Sequence, residues 1–74
     1  IKMNLTLREE QVISLAATGM TDKEIAKCMG ISVRTVHAHL ARIYTKSDTP
    51  NRLSAVLKCV EKYGTDFLRK YSYD

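Results

Sequence analysis

Apolar residues recur at three- and four-residue spacing along most of the chain, which is the pattern of one buried face of an α-helix. Gly19, Gly30 and Gly64 interrupt this pattern, and glycine commonly ends a helix because it readily adopts the left-handed backbone conformation. The chain is therefore predicted to be all-α, a four-helix bundle. The predicted helices span residues 7–18, 22–29, 33–46 and 50–63.

Polar side chains that can cap free backbone N–H groups mark where the helices begin. Thr6 is followed three residues later by Glu9, and Thr21 by Glu24, which is the spacing of a capping box. Ser32 stands before the third helix as a further N-cap. These signals place the starts of the first three helices.

The fourth helix is predicted to begin at a proline. Thr49 is its predicted N-cap, and Pro50 is placed at the first helical position, where the missing proline N–H costs nothing. Residues 1–64 are accordingly one predicted domain, followed by a C-terminal tail over 65–74. Apolar residues also recur at roughly helical intervals in the tail, which predicts one extra turn there. They are Phe67, Leu68, Tyr71 and Tyr73.

Each helix has a predicted inward face that follows from its apolar spacing at about 100° per residue. A small residue on the second helix, Ala26, is expected to let the third helix cross closely. The predicted inward residues are, helix by helix, Val12, Ile13, Leu15 and Ala16; Ile25, Ala26 and Met29; Val33, Val36, Leu40, Ile43 and Tyr44; and Leu53, Val56, Leu57 and Val60.

Length, charge and cysteine content narrow the class of protein. Seventy-four residues make one domain, too small for a large catalytic cleft. Twelve Lys and Arg against eight Asp and Glu favour a polyanionic partner, although a basic but inert surface is the alternative. Cys28 and Cys59 are expected to be free thiols in a reducing cytoplasm. Apolar residues never run long enough to span a membrane, and the start at Ile1 suggests part of a longer protein.

Charge placement points to DNA as the partner. The third helix carries Arg34, Arg42 and Lys46, and no acidic residue occurs between Ile25 and Ser47. Its predicted outward face also holds small residues, which allow a helix to approach the floor of a groove. Two helices joined by a short turn, the second of them basic, are typical of a helix-turn-helix.

A set of positions spread over all four predicted helices carries a family resemblance. The positions are Leu5, Thr6, Arg8, Glu9, Gly19, Lys23, Glu24, Ile25, Ala26, Ile31, Ser32, Thr35, Val36, His39, Leu40, Ile43, Lys46, Asn51, Arg52, Ala55 and Val56. Together they resemble the LuxR/FixJ-type, or GerE-like, helix-turn-helix domain over about Leu5 to Val60. The resemblance implies a four-helix DNA-binding domain at the C-terminus of a bacterial transcription regulator.

The resemblance also implies a homodimer on DNA through the fourth helix, with RNA polymerase as a further candidate partner. The residues expected at that contact are Ser54, Leu57, Lys58 and Glu61. The chain departs from the family where Ser47 and Thr49 replace aliphatic residues, so a loosely packed loop is expected there. His37 stands where lysine is common, which changes the expected operator preference.

Contacts to bases are predicted from the start of the third helix, which is the part of a recognition helix that meets base edges. Arginine can bridge guanine O6 and N7, imidazole can meet a purine edge, and an alanine methyl can touch a thymine methyl. The predicted base contacts are Arg34, His37, Ala38 and Ala41. The alternatives are a solvated charge for Arg34, a surface or core-flanking role for His37, and ordinary helix propensity for the alanines.

Contacts to phosphates need only charge or a donor on the correct face. The predicted set is Lys23, Ser32, Thr35, Arg42, Thr45 and Lys46, and Arg52 is a further candidate. Capping alone also explains Ser32 and Thr35, and Lys46 can simply complement the negative end of its helix.

Other functions find less support. A sigma-factor promoter-reading domain has a similar helix-turn-helix, and a protein-interaction module would use Leu57, Phe67 and Tyr71 with the basic face incidental. No enzyme is expected, since no nucleophile stands beside a base in a recognisable motif. No metal or other cofactor is expected either, because His37 and His39 point roughly 200° apart on a helix and the cysteines lack paired-ligand spacing.

Overall fold

The computed structural model describes residues 3–64, and this range forms four α-helices. The helices are α1 (Leu7–Ala17), α2 (Asp22–Met29), α3 (Val33–Ser47) and α4 (Arg52–Tyr63). The predicted all-α, four-helix fold is confirmed, with each boundary within two residues of the prediction. The tail over 65–74 and its extra turn lie outside the described residues. None of the described helices combines the length and apolarity needed to cross a membrane.

Local capping explains where α1, α2 and α3 begin. Thr6 and Glu9 form a complete capping box, as do Thr21 and Glu24. The Ser32 hydroxyl accepts from a backbone N–H at the start of α3. All three predicted caps are confirmed, and each satisfies backbone donors that the helix itself leaves free.

The predicted start of α4 at Pro50 is wrong, because Asn51 is the N-cap and accepts from the Ser54 backbone N–H at 2.9 Å. The Thr49 hydroxyl instead lies 2.7 Å from the Ser47 hydroxyl. The loosely packed loop expected here is also not found. Ser47 is fully buried, and its hydroxyl donates to the Ile43 carbonyl at 2.7 Å.

The core lies where α1, α2 and α4 pack around α3. The predicted inward faces of α1 and α3 are confirmed, and on α2 the two residues Ile25 and Ala26 are buried while Met29 is half-buried. The buried apolar residues are Met3, Val12, Ile13, Leu15, Ala16, Ile25, Ala26, Val36, Leu40, Ile43, Ala55 and Cys59.

The predicted inward face of α4 is confirmed only in part. Val56 and Val60 are half-buried and pack against the core.

The two leucines of the predicted face are exposed. Leu53 and Leu57 are 68% and 60% exposed, whereas Ala55 and Cys59 are fully buried. At about 100° per residue the two leucines lie roughly opposite Ala55. Small residues therefore face the core and let α4 approach it closely, and an apolar strip is left on the surface.

Candidate nucleic-acid interface

The turn between α2 and α3 sets the position of α3. Gly30 ends α2 with a φ of 69°, which favours glycine because a side chain at positive φ is strained. The Ile31 N–H then donates to the Ala26 carbonyl at 3.0 Å, and Ser32 caps α3 immediately afterwards. Only three residues separate the helices, so α2 and the core hold α3 in a fixed place.

The outward face of α3 carries the predicted base contacts. Arg34, His37, Ala38 and Ala41 are all exposed. Within residues 3–64 Arg34 has no ion-pair partner, so its guanidinium is available to a ligand. The two alanines place little bulk between the helix backbone and anything that lies against it.

His37 is exposed but has a partner on α2. Its side chain is 59% exposed, which excludes the core-flanking alternative, and its Nε2 lies 2.7 Å from Oδ2 of Asp22. The other carboxylate oxygen of Asp22 accepts from Nη1 of Arg52 at 3.0 Å. Arg52 also donates to the Ala16 carbonyl at 3.4 Å, so this network joins all four helices.

Glu9 holds two of the predicted phosphate contacts. Its carboxylate lies on α1, is nearly fully buried, and faces α3. Oε1 accepts from the Lys46 ammonium at 2.7 Å, and Oε2 accepts from Nε of Arg42 at 3.3 Å. Because Lys46 and Arg42 together carry two positive charges and Glu9 carries one negative charge, these three side chains keep a net positive charge next to the exposed face of α3.

The ionisation of Glu9 follows from this environment. Burial alone would raise the pKa of the carboxyl, but the hydrogen bond and charge of Lys46, the Thr6 backbone N–H and Arg42 together lower the pKa below its ordinary value of 4.5. Glu9 is therefore a carboxylate at neutral pH. It also completes the capping box of α1, so one side chain serves both roles.

His39 joins the same group from α3. It is half-buried, and its Nδ1 lies 3.2 Å from Nη2 of Arg42. Burial and then the positive charge of Arg42 lower the pKa of His39 below 6.5. The neutral ring accepts from Arg42, so the guanidinium is fixed between Glu9 and His39.

The remaining phosphate candidates fall into two groups. Lys23 is exposed on α2. The hydroxyls already have local partners: Ser32 and Thr35 lie 2.9 Å apart at the cap, and Thr45 donates to the Ala41 carbonyl at 3.1 Å. A shallow depression of about 250 Å³ lies on this side of α3. It is lined by Ala41, Arg42, Thr45 and Lys46.

The four residues expected at a dimer contact lie along α4. Leu57 and Glu61 are exposed, and Ser54 and Lys58 are half-buried. With exposed Leu53, Leu57 forms the apolar strip described above.

The cysteines do not form a chemical site in the described part of the chain. Cys28 is half-buried, Cys59 is buried, and both are free. Burial raises the pKa of the Cys59 thiol to about 11, so it stays protonated. Among residues 3–64 no group of His, Cys, Asp and Glu side chains is arranged to hold a metal ion.

Sequence reasoning found the exposed face but missed the two carboxylates that organise its edges. The capping box accounts for Glu9 and the start of α2 for Asp22, but neither role predicts their contacts with cations of other helices. Their partners lie 30 to 37 residues further along the chain in the pairs with Arg52 and Lys46. The family resemblance includes Glu9, Lys46 and Arg52 but not Asp22, and it does not indicate which residues form pairs.

Several known transcription regulators are similar to this chain in sequence. A probable transcriptional regulator of Cyanophora paradoxa is 36% identical over 61 residues, or 82% of this chain and 29% of that protein. A response regulator of Synechocystis sp. is 39% identical over 56 residues, and the transcriptional activator protein AnoR of Acinetobacter nosocomialis is 38% identical over 56; each match covers 76% of this chain and 24% of the relative. The chain thus spans about a quarter of the length of these regulators. No solved structure matches it significantly.

The family comparison decides between the regulator and the sigma-factor alternative. The model for bacterial regulatory proteins of the luxR family matches residues 3–59, which is most of the chain. That range takes in the turn between α2 and α3 and the first two thirds of α4. The chain therefore belongs to the luxR family of bacterial regulatory proteins, whose helix-turn-helix domain its four helices form.

Proposed function

We propose that this domain binds duplex DNA in a sequence-specific way as part of a transcription regulator, with α3 in the major groove. The observation that carries the proposal is the exposed face of α3. Arg34 projects from it without an ion-pair partner among the described residues, and Ala38 and Ala41 leave room for close approach. A basic, narrow helix face of this kind fits a groove that is about 12 Å wide.

Arg34 and His37 read bases in this proposal. Both lie in the first turns of α3, and the N-terminal part of a recognition helix is nearest to the base edges. Arg34 has five N–H donors in a planar fork, which match O6 and N7 of guanine. Ala38 and Ala41 contribute contact with thymine methyl groups.

Phosphate contacts come from cations that the fold has already ordered. Arg42 and Lys46 are held by Glu9, and Lys46 is only 31% exposed, so less side-chain freedom is lost when either meets a phosphate. Lys23 adds an exposed charge from α2. Ser32 and Thr35 share one hydrogen bond, so one of their two hydroxyl hydrogens remains for a phosphate. Thr45 is proposed to turn its hydroxyl hydrogen from the Ala41 carbonyl to a phosphate when DNA binds.

Two copies are proposed to bind side by side through α4. The support is the strip formed by Leu53 and Leu57, which are apolar and more than half exposed. Ser54, Lys58 and Glu61 flank that strip. RNA polymerase is a further proposed partner of the assembled regulator.

The same strip favours a second candidate function, a protein-interaction module whose basic face is incidental. In that case the domain would associate strongly without DNA, and its affinity for duplexes would depend on salt alone. Dimerisation that requires DNA favours the regulator instead.

Titration against duplexes at one salt concentration tests the proposed function. An operator selected from random sequence is expected to bind at least about a thousandfold more tightly than scrambled DNA of the same length. Equal affinity for both duplexes would contradict sequence-specific binding. Salt must be matched because the phosphate contribution falls steeply as salt rises.

A further inference from the structure

The pair formed by His37 and Asp22 links the exposed face of α3, which is proposed to contact bases, to α2. Nε2 of His37 lies 2.7 Å from Oδ2 of Asp22. Asp22 is itself held by Arg52, whose Nη1 donates to Oδ1 at 3.0 Å. The carboxylate is therefore anchored on one side and offers its second oxygen to the imidazole.

The proton positions follow from what each group can do. An ionised carboxylate only accepts hydrogen bonds, so Nε2 of His37 must carry the hydrogen in this pair. In the neutral imidazole the other nitrogen, Nδ1, is then an acceptor, because the two ring nitrogens have opposite roles. Within residues 3–64 Nδ1 has no hydrogen-bond partner, and the side chain is 59% exposed.

We propose that Asp22 is a specificity-determining residue that acts through His37. By fixing the hydrogen on Nε2, it presents Nδ1 as an acceptor to the major groove. The bases that offer a donor there are adenine, through its N6 amino group, and cytosine, through its N4 amino group. This inference rests on the DNA binding proposed above and adds the chemical group that His37 recognises.

An ordinary surface ion pair would have different consequences. Exposed pairs of this kind contribute little to stability, and a pair without a role in recognition would leave base preference unchanged. The geometry adds what a simple pair lacks: one oxygen of Asp22 is fixed by Arg52, and the ring it orients stands on the exposed face of α3 beside Arg34.

The tautomer can be measured without DNA or mutation. The ring nitrogen shifts of His37, recorded by NMR on the whole chain at mildly alkaline pH, are expected to show hydrogen on Nε2. Asp22→Asn offers both a donor and an acceptor to the ring, so the fixed tautomer is expected to be lost. Hydrogen on Nδ1 in the unmodified protein would overturn the inference.

Recognition is tested by deleting single groups from the operator. The base pair read by His37 is identified as the one whose preference disappears in His37→Ala. Replacing its adenine by a purine without the amino group, or its cytosine by the corresponding pyrimidinone, is expected to weaken binding about fivefold, the effect of one hydrogen bond. Replacing the purine of that pair by its 7-deaza form is expected to change nothing.

A matched variant separates specificity from charge. Asp22→Asn is expected to abolish the effect of the amino deletion at that pair only. Glu24→Gln removes the same charge from the same helix start, keeps an acceptor for the capping box, and touches neither His37 nor Arg52. It is expected to shift affinity for all duplexes alike and to keep the effect of the deletion.

The outcomes distinguish this inference from the function beneath it. The domain could bind its operator selectively and yet bind equally well after the amino deletion, or require the purine N7 at that pair. Either result would leave the proposed function standing and would overturn the inference about Asp22. Retention of the deletion effect in Asp22→Asn overturns it as well. A domain that binds selected and scrambled DNA equally overturns both.

Discussion

Glu9 is the residue on which the edge of the proposed DNA surface depends. It completes the capping box of α1, yet both of its oxygens also meet cations of α3. A buried carboxylate is costly unless it is paired, and Lys46 and Arg42 supply the pairing. These ion pairs thus compensate the cost of burying the Glu9 carboxylate, and they also fix the positions of the Lys46 and Arg42 side chains.

Replacing Glu9 by glutamine tests this dual role. The glutamine carbonyl can still cap α1, but the ion pairs are lost, so Glu9→Gln is expected to lower the free energy of unfolding by about 1–3 kcal/mol. Because the folded pKa lies below 4.5, the unfolded chain binds the proton more strongly, and the stabilisation disappears as pH falls through and below that value. Urea unfolding across acidic pH measures both effects.

Glu24 provides the control, since it occupies the same capping position on α2 but is exposed. Glu24→Gln is expected to cost much less and to leave the acid dependence unchanged. Equal losses in the two variants would show that capping alone explains Glu9.

His39 makes a separate prediction about pH. Its pKa is lowered below 6.5 in the fold, first by burial and then by Arg42, so the unfolded chain takes up its proton more readily. The contribution of His39 to stability is complete above that pH and is lost as pH falls below it. His39→Gln cannot titrate, and its unfolding free energy is expected to rise less between mildly acidic and neutral pH. An unchanged rise would contradict the assignment.

Among the elements, α4 shows where local patterns mislead. Its sequence holds two apolar stripes on opposite sides, one with the larger leucines and one with Ala55 and Cys59. Large side chains favour the first stripe as the core face, but the structure buries Ala55 and Cys59, with Val56 and Val60 packed against the core beside them. Which stripe faces the core depends on the distance between the helices. That distance cannot be predicted from the spacing of apolar residues along one helix.

The exposed stripe of α4 predicts the effect of a polar substitution. If two copies meet through it on DNA, Leu57→Gln is expected to reduce cooperative binding to a duplex with two half-sites by more than about 1 kcal/mol. Affinity for a single half-site is expected to stay the same. Quantitative gel-shift titration on the two duplexes separates these terms.

Leu7 offers a matched control on another helix, because it is 63% exposed on α1. Leu7→Gln should leave cooperativity unchanged. Loss of single-site affinity in Leu57→Gln, or equal loss of cooperativity in both variants, would argue against the α4 contact.

At the scale of the whole molecule, the predictable features were the local ones. The starts of α1, α2 and α3 depend on residues three positions apart, and Gly30 ends α2 by its own backbone preference. The exposed face of α3 followed in the same way from the burial of Val36, Leu40 and Ile43. Local signals are therefore sufficient for the starts of α1, α2 and α3 and for the exposed face of α3, but not for the start or the core face of α4.

The features that could not be predicted are contacts between distant parts of the chain. Glu9 meets Arg42 and Lys46 across 33 and 37 residues, and Asp22 meets Arg52 across 30. Any acidic residue of a helix start could have faced solvent with the same sequence spacing. Only the packing of the four helices decides which carboxylates reach the basic face, and so which cations are fixed.

The central claim is that side chains at the start of α3 contact the bases, whereas the other basic side chains contact only the phosphates of the DNA. It is tested most directly by the ratio of affinities for selected and scrambled duplexes, measured at one salt concentration in two variants. Arg34→Ala is expected to reduce that ratio about fivefold or more, since one arginine bridging guanine contributes roughly 1–3 kcal/mol of discrimination. Lys23→Ala is expected to weaken both duplexes alike, lower the salt slope by about 1, and keep the ratio. An unchanged ratio in Arg34→Ala would contradict the claim.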